Sequence, residues 1–114
     1  MSEPNRLEPN ENPELGLKND SNKNRTDLLP VVPLLGAARV FGFGARKYGE
    51  FNYRGGIKYR RLYGACLRHL FSWNECEDVD PESGELHLDH ALCSLMMLRQ
   101  MVHERPDLDD RYKK

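Results

Sequence analysis

The stretch 59–73, YRRLYGACLRHLFSW, carries the clearest helical signature in the chain. Leu62, Cys66, His69, Leu70 and Trp73 fall at i, i+4, i+7, i+8 and i+11, one continuous face of a 3.6-residue helix. The same period runs on both sides of it. Upstream, Leu34, Leu35, Ala38, Phe41 and Ala45 predict a helix from about residue 33 to 47, with Pro33 in its first turn and Gly49 as its stop. Gly36, Gly42 and Gly44 cost that helix up to ~1 kcal/mol each relative to Ala, and offer close backbone approach to another helix or a ligand. Downstream, Leu88, Ala91, Leu92, Leu95, Leu98 and Val102 predict a last helix from about 86 to 104. Met96, Met97 and Met101 widen its apolar stripe to nearly all round, the pattern of a helix buried between several others. Strand patterns are absent. The expected fold is all-α, a small bundle of about three main helices completed by oligomerisation.

At 114 residues the chain holds at most one domain. Residues 1–26 are dominated by Asn, Glu and Pro and cannot bury enough apolar surface to offset their ordering entropy, so they read as a flexible arm. Residues 106–114 read as a tail for the same reason. The remaining domain, 27–105, is small enough that oligomers commonly stabilise it. No apolar run approaches the ~20 residues of a membrane span, and no signal segment opens the chain, which points to the cytoplasm. Cys66, Cys76 and Cys93 are odd in number and widely spaced, so a disulfide framework is not indicated, and Cys66 and Cys93 read as small core residues.

Charge is sorted along the sequence. From residue 39 to 68 the bases are Arg39, Arg46, Lys47, Arg54, Lys58, Arg60, Arg61 and Arg68, against Glu50 alone. From 75 to 89 the acids are Glu75, Glu77, Asp78, Asp80, Glu82, Glu85 and Asp89, with no Lys or Arg among them. One-sign blocks repel themselves, so each needs an opposite charge. Two faces that neutralise each other would meet that need. So would a cation held by the acids and a single polyanionic nucleotide held by the bases, whereas a long nucleic acid would be repelled by the acidic stretch.

The acidic loop lies between helices that deliver His69 to one of its edges and His87 and His90, at i and i+3, to the other. Carboxylates are hard oxygen donors suited to Mg²⁺ or Mn²⁺, and histidines beside them can act as general base, phosphate ligand or occasional metal ligand. Cys76 with His87-x-x-His90 lacks a fourth ligand at zinc spacing. The order Asp89-His90 is the reverse of the His-Asp doublet of HD-type phosphohydrolases. Gly55-Gly56 followed by Lys58, Arg60 and Arg61 offers backbone amides beside cations as a triphosphate cradle. Tyr48, Phe51 and Tyr53 offer planar surfaces for a base.

The runs FGFGARKYGEFNY (41–53), Arg68-His69-Leu70 and EDVDPESGELHLDHALCSL (77–95) resemble the small phage and bacterial proteins grouped as dATP/dGTP diphosphohydrolases, which are similar to the all-α MazG-like pyrophosphohydrolases. The resemblance covers about residues 27 to 98. It implies hydrolysis of a purine deoxynucleoside triphosphate between its α and β phosphates, with Mg²⁺ (or Mn²⁺) as cofactor, in the host cytoplasm for a phage-encoded chain. Lys47, Tyr48 and Asn52 fall in its first motif, Arg68 and His69 in the second, and Glu77, Asp78, Asp80, Ser83, His87 and His90 in the third. Combined with the charge pattern, this gives Glu77, Asp78 and Asp80 as metal ligands and His69, His87 and His90 as catalytic groups. Lys47, Tyr48, Asn52, Tyr53, Arg60, Arg61 and Arg68 become the substrate contacts. The Glu-Glu-x-x-Glu and Glu-x-x-Asp helices of the wider MazG-like group have no counterpart in the helices expected here. The competing expectation is a non-catalytic phage module that binds a nucleotide or a host protein through the same charged surfaces.

Overall fold

A computed structural model describes residues 15–113, in two units that divide after Pro30. The first holds a short 3-10 turn, Thr26–Leu28, beside which Arg25 grips the Asp27 carboxylate with two hydrogen bonds of 2.9 Å. The part of the expected N-terminal arm that covers residues 1–14 lies outside the described residues.

The second unit contains the three expected helices: α1 (Val31–Tyr48), α2 (Tyr59–Asn74) and α3 (His87–Glu104). There are no strands among the described residues, only an isolated bridge between Val79 and Leu86. No helix of the described residues is long and apolar enough to cross a membrane. Gly49, at φ 98°, closes α1, whose last turn carries Arg46 and Lys47 against the negative end of the helix dipole. A 3-10 turn at Asn52–Gly55 then leads into α2.

α2 and α3 pack antiparallel as the main hairpin. Tyr59, Leu62 and Met101 form its core, with Tyr53, Ile57, Met97, Leu98 and Leu108 against them. The Tyr59 hydroxyl donates to the carbonyls of Met101 (3.3 Å) and Arg105 (3.0 Å), tying the start of α2 to the end of α3. Beyond Glu104 the chain makes a 3-10 turn, Pro106–Leu108, and an Asp110 carboxylate oxygen accepts the Arg60 N–H at 2.9 Å, capping the α2 start from outside the helix. Burial of a side chain such as Met101 or Leu62 stabilises the hairpin by about 1.5–3 kcal/mol.

α2 ends in a Schellman motif: Cys76 N–H donates to Trp73 O at 2.9 Å and Glu77 N–H to Ser72 O at 3.1 Å. Cys76 holds the left-handed position, φ 69°, where Gly is usual. The motif's function is positional, since its second hydrogen bond fixes where Glu77 leaves the helix. The acidic loop then folds back on itself, with Asp80 N–H donating to Glu85 O and Gly84 N–H to Asp80 O, both at 2.8 Å. His87 N–H donates to Asp78 O at 2.9 Å, and α3 begins.

The structure corrects the sequence on which faces are buried. α1 turns Gly36, Ala37 and Val40 onto α3, whereas Val31, Leu34, Leu35 and Ala38 are exposed. In α3 the buried residues are His87, Asp89, His90, Ala91, Cys93 and Met101, while Leu88, Leu95 and Val102 of the expected stripe face outward. Trp73 at the end of the α2 stripe is likewise exposed. The reason is steric. A Cβ at Gly36 would fall inside the Asp89 carboxylate, so only a glycine lets α1 approach α3 there. Cys93 is the small core residue expected, and burial pushes its thiol up to about 12; Cys66 is half-buried.

Candidate active site

At the end of the hairpin opposite the Tyr59–Met101 core, the antiparallel packing brings the C-terminal part of α2 against the first turn of α3. His69 thereby meets His87 and His90. The His69 and His90 rings stack at 4.4 Å with 13° between planes, and His69 and His87 lie 5.1 Å apart. Phe43 of α1 closes one side, edge-on to His90 at 6.1 Å.

Each imidazole belongs to a hydrogen-bonded chain. His87 Nε2 lies 2.6 Å from Glu77 Oε1, and His87 Nδ1 lies 2.8 Å from His69 Nδ1. An ionised carboxylate only accepts, so His87 Nε2 carries a proton. A neutral His87 then accepts from His69 Nδ1–H, which leaves Nε2 of His69 deprotonated and without a partner among the described residues. The second chain runs through Ser83, whose hydroxyl donates to Asp80 Oδ2 at 3.0 Å and therefore accepts from His90 Nε2–H at 2.6 Å. The Glu85 N–H also donates to Ser83 Oγ, at 3.1 Å. Ser83 belonged to the sequence motif without a role, and the structure makes it the link between Asp80 and His90.

Burial, reinforced by the neighbouring imidazoles, pushes His69 down from its ordinary value of 6.5; burial does the same to His90 despite the opposing pull of Asp80. Burial alone would raise the Asp80 carboxyl, but Ser83, His90 and backbone N–H groups outweigh it and hold Asp80 below its ordinary value. Both histidines therefore bind protons less readily when the chain is folded. Between their folded values and 6.5 the unfolded chain holds more protons, so stability is complete above about pH 6.5 and falls as the pH drops through that window. Urea midpoints measured from pH 7.5 to 5 should decline accordingly, and His69→Gln with His90→Gln should flatten the decline. A profile unchanged by the double substitution would show that the acid sensitivity arises elsewhere.

Glu77 and Asp80 each face a different imidazole, and the Asp78 side chain is exposed. No group of three or more His, Cys, Asp or Glu side chains among the described residues is arranged to hold a metal ion.

The charge sorting is partly met inside the unit. Arg39 lies 3.4 Å from Glu85 and 3.7 Å from Asp89, and Lys47 Nζ donates to Glu82 at 2.7 Å. Arg39, Glu85 and Asp89 belong to the sorted charge blocks, and their pairing neutralises part of one block against the other as it links α1 to the acidic loop. Lys47 Nζ also lies 5.2 Å from the Tyr48 ring and 5.9 Å from the ring of Phe43, the residue that meets His90 edge-on. Exposed ion pairs contribute about 0–1 kcal/mol, so an incoming phosphate can displace Glu82 from Lys47 at small cost. Arg68 adjoins His69 in α2 and makes no ion pair among the described residues.

Other expected substrate contacts are not gathered here. Arg60 and Arg61 occupy the first turn of α2, and nine residues of helix, about 13 Å, separate Arg60 from His69. Around the Gly55-Gly56 cradle, Arg105 Nη1 donates to Gly55 O at 3.2 Å and would lie 2.8 Å from a Cβ at Gly56. Asn52 is exposed in its 3-10 turn, and Tyr53 packs on Phe41 at 5.8 Å and on the core.

Residues 13–111 match the family described as dATP/dGTP diphosphohydrolase, N-terminal. A protein of Salmonella phage PMBT28 named dATP/dGTP diphosphohydrolase is 35% identical over 96 residues, which are 84% of this chain and 33% of that protein. The chain thus spans about a third of the length of the relative it matches. No solved structure matches it.

Proposed function

From the premise that this chain belongs to the dATP/dGTP diphosphohydrolase family, we propose that it handles purine deoxynucleoside triphosphates at the histidine cluster and hydrolyses them to the monophosphate and pyrophosphate. The observation that supports this reading is the Glu77–His87–His69 chain, which leaves one imidazole nitrogen bare at the edge of the acidic loop. In the proposed reaction His69 Nε2 takes a proton from water as its oxygen attacks the α phosphorus. The bond from the α phosphorus to the bridging oxygen breaks, and pyrophosphate leaves with that oxygen. Proton transfer along the chain places the positive charge on His87 beside the Glu77 carboxylate, where it is stabilised. Arg68, and Lys47 once released from Glu82, offset charge on the phosphate oxygens. Tyr48, exposed beside Lys47, contacts base or sugar in this reading. His90, held by Ser83 and Asp80, stacks on His69 and fixes its ring. Mg²⁺ or Mn²⁺ enters this reading as the counterion of the triphosphate, part of the substrate.

The test is anion-exchange analysis of dATP, dGTP, dCTP and dTTP incubated with the full chain in Mg²⁺, Mn²⁺ or EDTA. Monophosphate with pyrophosphate from a purine nucleotide is the expected result. Diphosphate with phosphate would move the attack to the γ phosphorus. No turnover in any condition would overturn hydrolysis by this chain and leave the binding module.

A further inference from the structure

Part of the basic block finds no acid inside the unit. Arg39, Lys47 and Arg54 pair with Glu85, Glu82 and Glu104, whereas Lys58, Arg60 and Arg61, at the start of α2, form no ion pair among the described residues. Beside them lies a cavity of about 330 Å³, within the size range of small-molecule sites. Two of its walls are helical: Tyr59 and Tyr63, one turn apart on α2, and Leu98 and Val102, one turn apart on α3. Arg60 and the chain after α3, through Arg111 and Tyr112, complete it. That terminal segment, expected to be a loose tail, is pinned by Leu108 on the core and by Asp110, which accepts the Arg60 N–H at 2.9 Å.

We propose that this cavity binds a nucleoside monophosphate, at a site separate from the histidine cluster. The lining joins aromatic rings to guanidinium groups, the combination that recognises a planar base carrying an anionic phosphate. The Tyr59 hydroxyl is already engaged by the carbonyls of Met101 and Arg105, so that residue offers only its ring. Tyr63 is 56% exposed and Tyr112 82%, which leaves both rings open to a base. Arg111 is held in place by Asp109, which accepts its Nε–H at 2.9 Å and Nη2–H at 2.7 Å, while its Nη1 group has no partner among the described residues. The cations Lys58, Arg60, Arg61 and Arg111 stand against two acids, Asp109 and Asp110, an excess that a single phosphate dianion offsets. A triphosphate would overshoot it and meet both carboxylates. The histidines lie elsewhere: about 12 and 18 Å of α3 separate His90 from Leu98 and Val102.

Calorimetric titration of the full chain with dAMP, dGMP, dCMP and dTMP tests this, and none of the four is a substrate of the proposed hydrolysis. Saturable binding of at least one is expected, with shifts of the Tyr63 and Tyr112 ring resonances. Tyr112→Ala and Arg60→Gln should each weaken that binding about tenfold, by removing a stacking surface and a phosphate donor. Both residues are exposed, so each variant should keep its helicity and thermal midpoint. Lys47→Gln combined with Arg68→Gln, at the histidine end, should leave the binding unchanged. Deoxyadenosine and inorganic phosphate should each bind at least tenfold more weakly than dAMP, since each meets only half of the site. No saturable binding of any of the four at about 1 mM would overturn the proposal. So would binding that survives both Tyr112→Ala and Arg60→Gln, or that is lost in the Lys47→Gln, Arg68→Gln pair, which would place the nucleotide at the histidines. None of these readouts depends on turnover, so the hydrolase reading and this one fail separately.

Discussion

Replacing His69 by glutamine is expected to lower turnover of the preferred purine deoxynucleoside triphosphate by about 10²–10⁴-fold, the usual contribution of a positioned general base. Glutamine keeps the size and polarity of the site but cannot take a proton. The loss should fall on kcat, with KM little changed, because the phosphate contacts assigned to Arg68 and Lys47 remain. Glu77→Gln should cost less, roughly tenfold, since it weakens the acceptor that stabilises charge on His87 without removing the base. It should also move the acidic limb of the pH–rate profile, a change that simple loss of packing would not produce. His69 is half-buried and its burial already disfavours the charged ring, so the glutamine variant should fold normally and lose less stability on acidification. Turnover by His69→Gln within twofold of the unsubstituted chain, with an unaltered pH profile, would remove this histidine from the chemistry.

The largest expected effect on stability is at Gly36. A leucine there has no space, because even a Cβ would occupy the position of the Asp89 carboxylate between α1 and α3. Overpacking of this kind costs about 3 kcal/mol or more once the helices are pushed apart, a fall in thermal midpoint of more than ~10 °C for a domain this small. Gly36→Ala should cost less, since alanine gains about 1 kcal/mol of helix propensity and the Asp89 side chain can rotate. Asp89→Ala should largely rescue Gly36→Ala, giving a double-mutant coupling that identifies the contact. Because Asp89 precedes His90 and its charge favours protonation of that ring, the damage should reach the site as reduced turnover. Urea unfolding that places Gly36→Leu within 0.5 kcal/mol of the unsubstituted chain would show that α1 does not dock on α3 in this way.

Much of the fold follows from short-range information. The 3.6-residue periods of 31–48, 59–74 and 87–104, with breakers at Gly49, Gly55-Gly56, Pro81 and Gly84, locate the three helices to within about two residues. The convergence of His69 with His87 and His90 was also legible, because consecutive helices commonly pack side by side, and an antiparallel pair brings the end of one to the start of the next. The end of α2 at Asn74 falls beside the expected Trp73, although its left-handed cap is filled by Cys76 where a glycine would have marked the stop. Arg60 and Arg61 show the limit of reading charge by proximity in sequence. They follow the glycine pair, yet the helix that begins there carries the histidines to its other end.

The sequence by itself determined the helix count, the acidic turn between α2 and α3, and the set of histidines and carboxylates available at one end of the hairpin. Each of these rests on local periodicity, turn propensity and the rigid 1.5 Å rise of a helix. Only the tertiary structure decided which of two apolar faces of α1 and α3 is buried. Leucine stripes satisfy the hydrophobic pattern on either side, and the choice depends on where the backbones can touch, at Gly36 and Asp89. Tertiary packing likewise decided that Glu77 bonds His87 while Asp80 and Ser83 bond His90, because hydrogen bonds at 2.6 Å depend on the placement of whole helices and no spacing in the chain encodes them.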